Sequence, residues 1–88
     1  MYKILLHKRV IKFINSRTQK EKQQIKKKFE LLQQNPYPSN NSLDLKRLQN
    51  RYGFRLRVSD FRFIYDIVDN ELIIYIENGA NRGDIYKK

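Results

Sequence analysis

The chain has 88 residues, a net charge of +10 and no cysteine. That length makes one domain, residues 1–88, the expectation, with one modest core. The composition excludes a disulfide framework and a thiolate zinc site, and no apolar run reaches the length of a membrane span. The N-terminal MYKILLHKRVIKF lacks the apolar stretch and cleavage site of a signal peptide. The expectation is a soluble, cytoplasmic protein. The charge is unevenly spread. Residues 1–52 hold thirteen Lys/Arg against three Asp/Glu, whereas residues 53–88 hold six of each. A basic segment of this kind suits a phosphate backbone or an acidic protein partner, although a merely solvated helix face has the same composition.

The predicted elements follow in chain order. Residues 2–6, YKILL, form a strand candidate. HKRVIKFINS then places Val10, Ile11, Phe13 and Ile14 on one helical stripe. Thr18 and Glu21 have capping-box spacing, which starts a second helix near Gln19. Ile25, Phe29 and Leu32 make its apolar stripe, while Lys20, Lys22, Lys26, Lys27 and Lys28 occupy the rest of the circumference. Pro36 disfavours a helical residue before it, so the helix stops at Asn35. NPYPSNNS is a loop on composition. LDLKRLQNRY is irregular or extended.

From Gly53 the period changes to two. With Ser59 and Asp60 as the loop of a hairpin, Val58 faces Phe61, Leu56 faces Phe63 and Phe54 faces Tyr65. All six share one side of the sheet, and a one-residue slip would turn them to solvent. A second turn at Asp69-Asn70 pairs Tyr65 with Ile74 and Phe63 with Ile76, and brings Leu72, Ile74 and Ile76 to the core face.

The same register sets Arg57 opposite Arg62, with Arg55 two residues along that face and Glu77 opposite Arg62. Like charges directly opposite destabilise a strand pair. Two readings stand. In one, Arg62–Glu77 is a structural ion pair and the other arginines reach into water. In the other, convergent guanidiniums hold a phosphate bidentately and stabilise charge that develops on it. Arg82 and Tyr86 follow the last strand closely, and Gly79 and Gly83 let the chain turn back over the face. Tyr86 offers a ring for base stacking and a phenol for hydrogen bonding; a packing aromatic at a chain end is the plain alternative.

There is no phosphate-binding glycine loop and no HExxH motif. The only histidine, His7, reads as a surface residue and makes no metal site by itself. The carboxylates form no close pair of the kind used in general acid–base hydrolysis. Catalysis on these residues would rest on Arg, Tyr and Glu77.

DLKRLQNRYGFRLRVSDFRFIYDI followed by NRGDIY resembles the RelE/ParE superfamily of toxins from type II toxin–antitoxin systems, in its RelE-like branch. The matching features are Leu-Lys-x-Leu (Leu45 to Leu48), Arg-x-Arg-Val-x-Asp-aromatic-Arg (Arg55 to Arg62), Tyr65, and Arg-x-x-x-Tyr (Arg82 to Tyr86). The NPxP-like loop after a basic helix also fits. Each motif is weak alone, but their order and spacing are specific, and the resemblance covers nearly the whole chain. It implies an α+β fold: an N-terminal strand, then two antiparallel helices packed on a curved antiparallel sheet.

The resemblance also implies an mRNA endonuclease acting in the ribosomal A site to inhibit translation. It needs no metal and no small-molecule cofactor. The 2′-hydroxyl attacks the adjacent phosphate and leaves a 2′,3′-cyclic phosphate and a 5′-hydroxyl. Carried over residue by residue, Arg55 matches a basic strand position of the active face and Arg62 the phosphate-stabilising arginine. Tyr86 matches the tyrosine that packs on a base and assists proton transfer. Arg57 matches a position that contacts RNA or supports the site. Gly53 stands where a RelE-type site has another lysine, and Ala80 where it has an arginine. Arg82 and Arg51 are candidates for the missing charge. The expected catalytic set is therefore Arg62, Tyr86, Arg55 and Arg82. The expected RNA contacts are Arg57, Arg51, Lys26 and Lys27. Two alternatives remain open: a ParE-like inhibitor of DNA gyrase, and a non-catalytic basic binding module. All three imply a cognate antitoxin whose acidic segment wraps the basic surface.

Overall fold

The computed structural model describes residues 1–81 of the chain. Strand β1 (Lys3–Leu6) leads into helix α1 (Lys8–Asn15) and helix α2 (Gln19–Gln34). Strands β2 (Asp44–Arg47), β3 (Phe54–Val58), β4 (Phe61–Val68) and β5 (Ile73–Asn81) follow. A one-turn 3-10 segment, Asp69–Glu71, joins the last two. The sheet order is β1-β5-β4-β3-β2. The expected antiparallel pairing holds from β2 to β5, but β1 joins β5 in parallel, so the sheet is mixed.

Local chemistry sets the helix ends. His7 caps α1 by accepting from the Arg9 backbone N–H. The Thr18–Glu21 capping box closes in both directions at 3.2 and 3.0 Å, which satisfies two of the free N–H groups at the start of α2. α2 ends at Gln34 with Asn35 as its extended cap, as Pro36 requires.

Both helices lie on one face of the sheet. Val10, Ile25 and Leu32 pack into a cluster with Phe54, Leu56, Phe63, Tyr65 and Ile74. Phe13 and Phe29 meet Phe63 edge-on. Burying each large apolar side chain of this kind is worth about 1.5–3 kcal/mol. Ile11 departs from the predicted stripe: it is 45% exposed.

The β3–β4 hairpin has the predicted register, with Phe54↔Tyr65, Leu56↔Phe63, Arg57↔Arg62 and Val58↔Phe61. Ser59 takes the positive φ, 55°, that a two-residue turn demands. The β4–β5 register differs from expectation. The connection is four residues long, Asp69 to Leu72, and Leu72 is left-handed at φ 54° and 50% exposed instead of joining the core. Tyr65 therefore pairs with Ile76, and Ile67 with Ile74. Two extra turn residues preserve the alternation of faces, so Ile74 and Ile76 still reach the core. A register shift between Ile64 and Tyr65 then leaves Glu77 as the extra residue of a β-bulge. Beyond it Phe63 pairs with Gly79, and Arg62 with Ala80 instead of Glu77. Gly79 is the neighbour that Phe63 needs, because a Cβ there would sit 2.7 Å from its ring.

Candidate functional site

The face of the sheet away from the helices carries the charge. Alternation along β3 and β4 puts Arg55, Arg57, Arg62 and Asp66 on that side, and β2 adds Asp44 and Lys46. The crowding of Arg57 against Arg62 seen in the sequence is real.

The arginines differ in surroundings. Arg55 is 8% exposed and donates from Nη2 to Asp44 Oδ1 at 2.6 Å, on the edge strand. Its buried Nε has no hydrogen-bond partner among the described residues. Arg57 donates from Nε to the Ser59 carbonyl at 3.4 Å, and Arg62 is half-buried. Arg51, in the turn before β3, donates to Glu77 Oε1 at 2.6 Å and stands 3.9 Å from Asp66 Oδ1. In place of the Arg62–Glu77 pair of one reading stands Arg51–Glu77, because the four-residue turn moves Glu77 two positions along β4 toward the Gly53 side, where the bulge leaves it unmatched.

The network also overturns the expectation that no carboxylates come together. Burial holds the Asp66 carboxyl above its ordinary value, and neighbouring Glu77 adds to the effect while Arg51 opposes it. Next to this pair lies Gly53, at φ +138°. A side chain there would place its Cβ 2.9 Å from Asp66 Oδ1 and 3.0 Å from the Leu48 side chain. The lysine that the family resemblance puts at this position would be strained at this φ, and its Cβ would have to displace the ends of the Asp66 and Leu48 side chains.

Lys26 and Lys27 are exposed on α2, across the helical layer from the arginines, and with Lys20, Gln23, Gln24 and Glu30 line a shallow depression. Arg82 and Tyr86 lie outside the described residues. His7 serves as a helix cap. No group of three His, Asp or Glu among the described residues is arranged to hold a metal ion.

At the far end of the sheet, Tyr2 and Tyr37 both donate to Asp69, and Tyr65 donates to the Pro36 carbonyl at 2.6 Å. The bond to Asp69 raises the Tyr37 phenol to about 12, and the two phenols together lower Asp69. Sequence reasoning missed this cluster and the Arg51–Glu77–Asp66 network, since both join residues far apart in the chain. The Asp44–Arg55 pair was closer to hand: Leu43 and Leu45 alternate with Asp44, a weak strand signal beside a basic one.

A helical layer on one face of a five-stranded sheet is the fold this chain shares with solved RelE toxins. The fold matches the archaeal RelE–RelB complex of Pyrococcus horikoshii OT3 at a TM-score of 0.82, with 24% identity over 94% of this chain and 97% of that one. It matches the E. coli RelBE toxin–antitoxin complex at 0.73, with 20% identity over 96% and 99%. A curated protein of Methanocaldococcus jannaschii, provisionally named toxin RelE1, is 30% identical over 98% of this chain and 96% of its own length. Residues 7–78 match the family described as ParE toxin of type II toxin–antitoxin system, parDE. The chain belongs to the RelE/ParE superfamily of type II toxin–antitoxin toxins.

Proposed function

We propose that this chain is a toxin that cleaves mRNA on the ribosome and is held inactive by a cognate antitoxin. The observation that carries the reading is the set of Arg55, Arg57 and Arg62 on the central strands of a rigid sheet, facing away from the helices. Attack of a ribose 2′-oxygen on phosphorus spreads negative charge over the phosphoryl oxygens. Fixed guanidiniums stabilise that charge more than they stabilise the substrate. Arg62 is the main phosphate ligand and Arg57 its neighbour. Arg55, buried against Asp44, supports the strand and contributes its field. Tyr86 stacks on a base, and Arg82 supplies further positive charge. Lys26 and Lys27 contact the RNA backbone of the ribosome. The RelE–RelB complexes of similar fold support an antitoxin partner.

The matching family profile is that of ParE, and two observations favour a second reading, gyrase inhibition. Gly53 and Ala80 carry no charge, and Arg51 is committed to Glu77. The discriminating experiment is translation on purified ribosomes with primer-extension mapping of the message. Wild type cuts, and Arg62→Ala loses about 10²–10³-fold in rate, the scale of one oxyanion-type donor. Intact message together with trapped DNA breaks in a gyrase assay would replace the nuclease reading by the gyrase one.

A further inference from the structure

The open face holds a second charged group that the cleavage scheme above does not use. Asp66 and Glu77 meet beside Arg51, two carboxylates for one guanidinium. Arg51 is held closely by Glu77 at 2.6 Å and reaches Asp66 only loosely, at 3.9 Å, so the repulsion between the two carboxylates is incompletely offset. One oxygen of Asp66, Oδ1, is buried and makes no hydrogen bond among the described residues. The backbone of Gly53 closes over it. A buried oxygen left without a donor disfavours the anion and makes the group a stronger base. The raised carboxyl follows, from burial first and Glu77 second. A third of the side chain, 33%, remains exposed on the arginine side of the sheet. Asp66 lies four residues along β4 from Arg62, about 13 Å of strand. The 2′-oxygen and the phosphorus it attacks are neighbours within one linkage, so the long Arg62 side chain must lean along β4 toward Asp66 to serve the same phosphate.

We propose that Asp66 is the general base of the cleavage proposed above, with Glu77 and Arg51 as its positioning residues. The inference rests on the nuclease reading. Asp66 takes the ribose 2′-hydroxyl proton on its outward oxygen as the 2′-oxygen bonds to phosphorus. The bond from phosphorus to the 5′-oxygen breaks, and its electron pair stays on that oxygen, which takes a proton from water. The proton on Asp66 then neutralises the hydroxide left behind. The groups facing Asp66 are Glu77 from β5, Arg51 from the turn before β3, and its cross-strand partner Tyr75. Proton transfer of this kind is worth about 10²–10⁴-fold.

The test is single-turnover cleavage of ribosome-bound message by the full chain, followed across the acid-to-neutral range. The wild-type rate rises with pH along one ionisation. Asp66→Asn lowers the plateau by about 10²–10⁴-fold and removes that limb. Glu77→Gln removes a repelling charge and moves the limb to lower pH. Arg51→Gln removes an attracting one and moves it to higher pH. A purely structural network would lower the unfolding midpoint in all three variants and leave the limb where it is. Cleavage by Asp66→Asn at the wild-type rate and profile, while Arg62→Ala abolishes it, overturns this inference alone. A limb unmoved in both Glu77→Gln and Arg51→Gln does the same, and decides the matter if Asp66→Asn does not fold. Uncut message with the wild-type chain overturns the nuclease reading first.

Discussion

Arg55 is the one charged residue classed as buried among those described. Asp44 takes one of its donors, on an edge strand where water still reaches the carboxylate. Its guanidinium therefore serves the sheet's cohesion as much as any anion above it. A buried donor that loses its partner costs more than an average hydrogen bond contributes. Gly53 governs the neighbouring carboxylates in a different way. Its φ of +138° is open to glycine and strained for other residues, and the Cβ of any substitute would press on Asp66 Oδ1. Gly53→Ala is expected to destabilise the fold by about 1–2 kcal/mol. Urea unfolding of the variant beside wild type checks this; an unchanged midpoint would mean that the turn relaxes freely.

The connections between elements decide what the strands present. A four-residue turn with left-handed Leu72, followed by the bulge at Glu77, re-aims the far half of β5. The Asp69 turn is itself tied down. Tyr2 comes from the residue before β1 and Tyr37 from the loop after α2, so one carboxylate holds three segments together. The bonds need protonated phenols. Tyr37 is raised in the folded state from 10.0 to about 12, so its contribution is complete below the unfolded value and disappears as pH rises through the folded one. The thermal midpoint of wild type should fall between pH 10 and 12. Tyr37→Phe should start lower at neutral pH and fall less over that window. Equal slopes for the two proteins would remove Tyr37 from the account. Asp69 is lowered, so its share has the opposite sense and is lost as pH falls through its folded value.

At the scale of the molecule, the described residues present two basic surfaces. The lysines of α2 lie outside the helical layer, and the arginines lie across the sheet from them. A partner that covers the arginines leaves the lysines exposed, and an RNA surface that engages both must bend around an edge of the molecule. An antitoxin segment that carries acidic groups would be steered by this field, and steering is screened within about 10 Å at 0.1 M salt. The association rate with the antitoxin is expected to fall at least tenfold from low to high ionic strength, as stopped-flow mixing would measure. A rate indifferent to salt would count against the charged surface as the docking site. Among the described residues no helix is long and apolar enough to cross a membrane.

Local period made much of this legible without coordinates. The capping box at Thr18, the helix stop before Pro36 and the faces of β3 and β4 each depend on neighbours within a few residues. A slip by one residue would also have turned six apolar side chains to water. The face of the arginines was therefore determined by the sequence alone. Their partners were not. Which carboxylate meets which guanidinium depends on the length of the Asp69 turn, the bulge at Glu77 and the docking of β2, none of which leaves a period to read. Asp44 and Asp66 entered the site only through tertiary structure, and Arg51 and Glu77 became partners only there, because a charge pair is set by distance in space and a strand's faces by alternation along the chain.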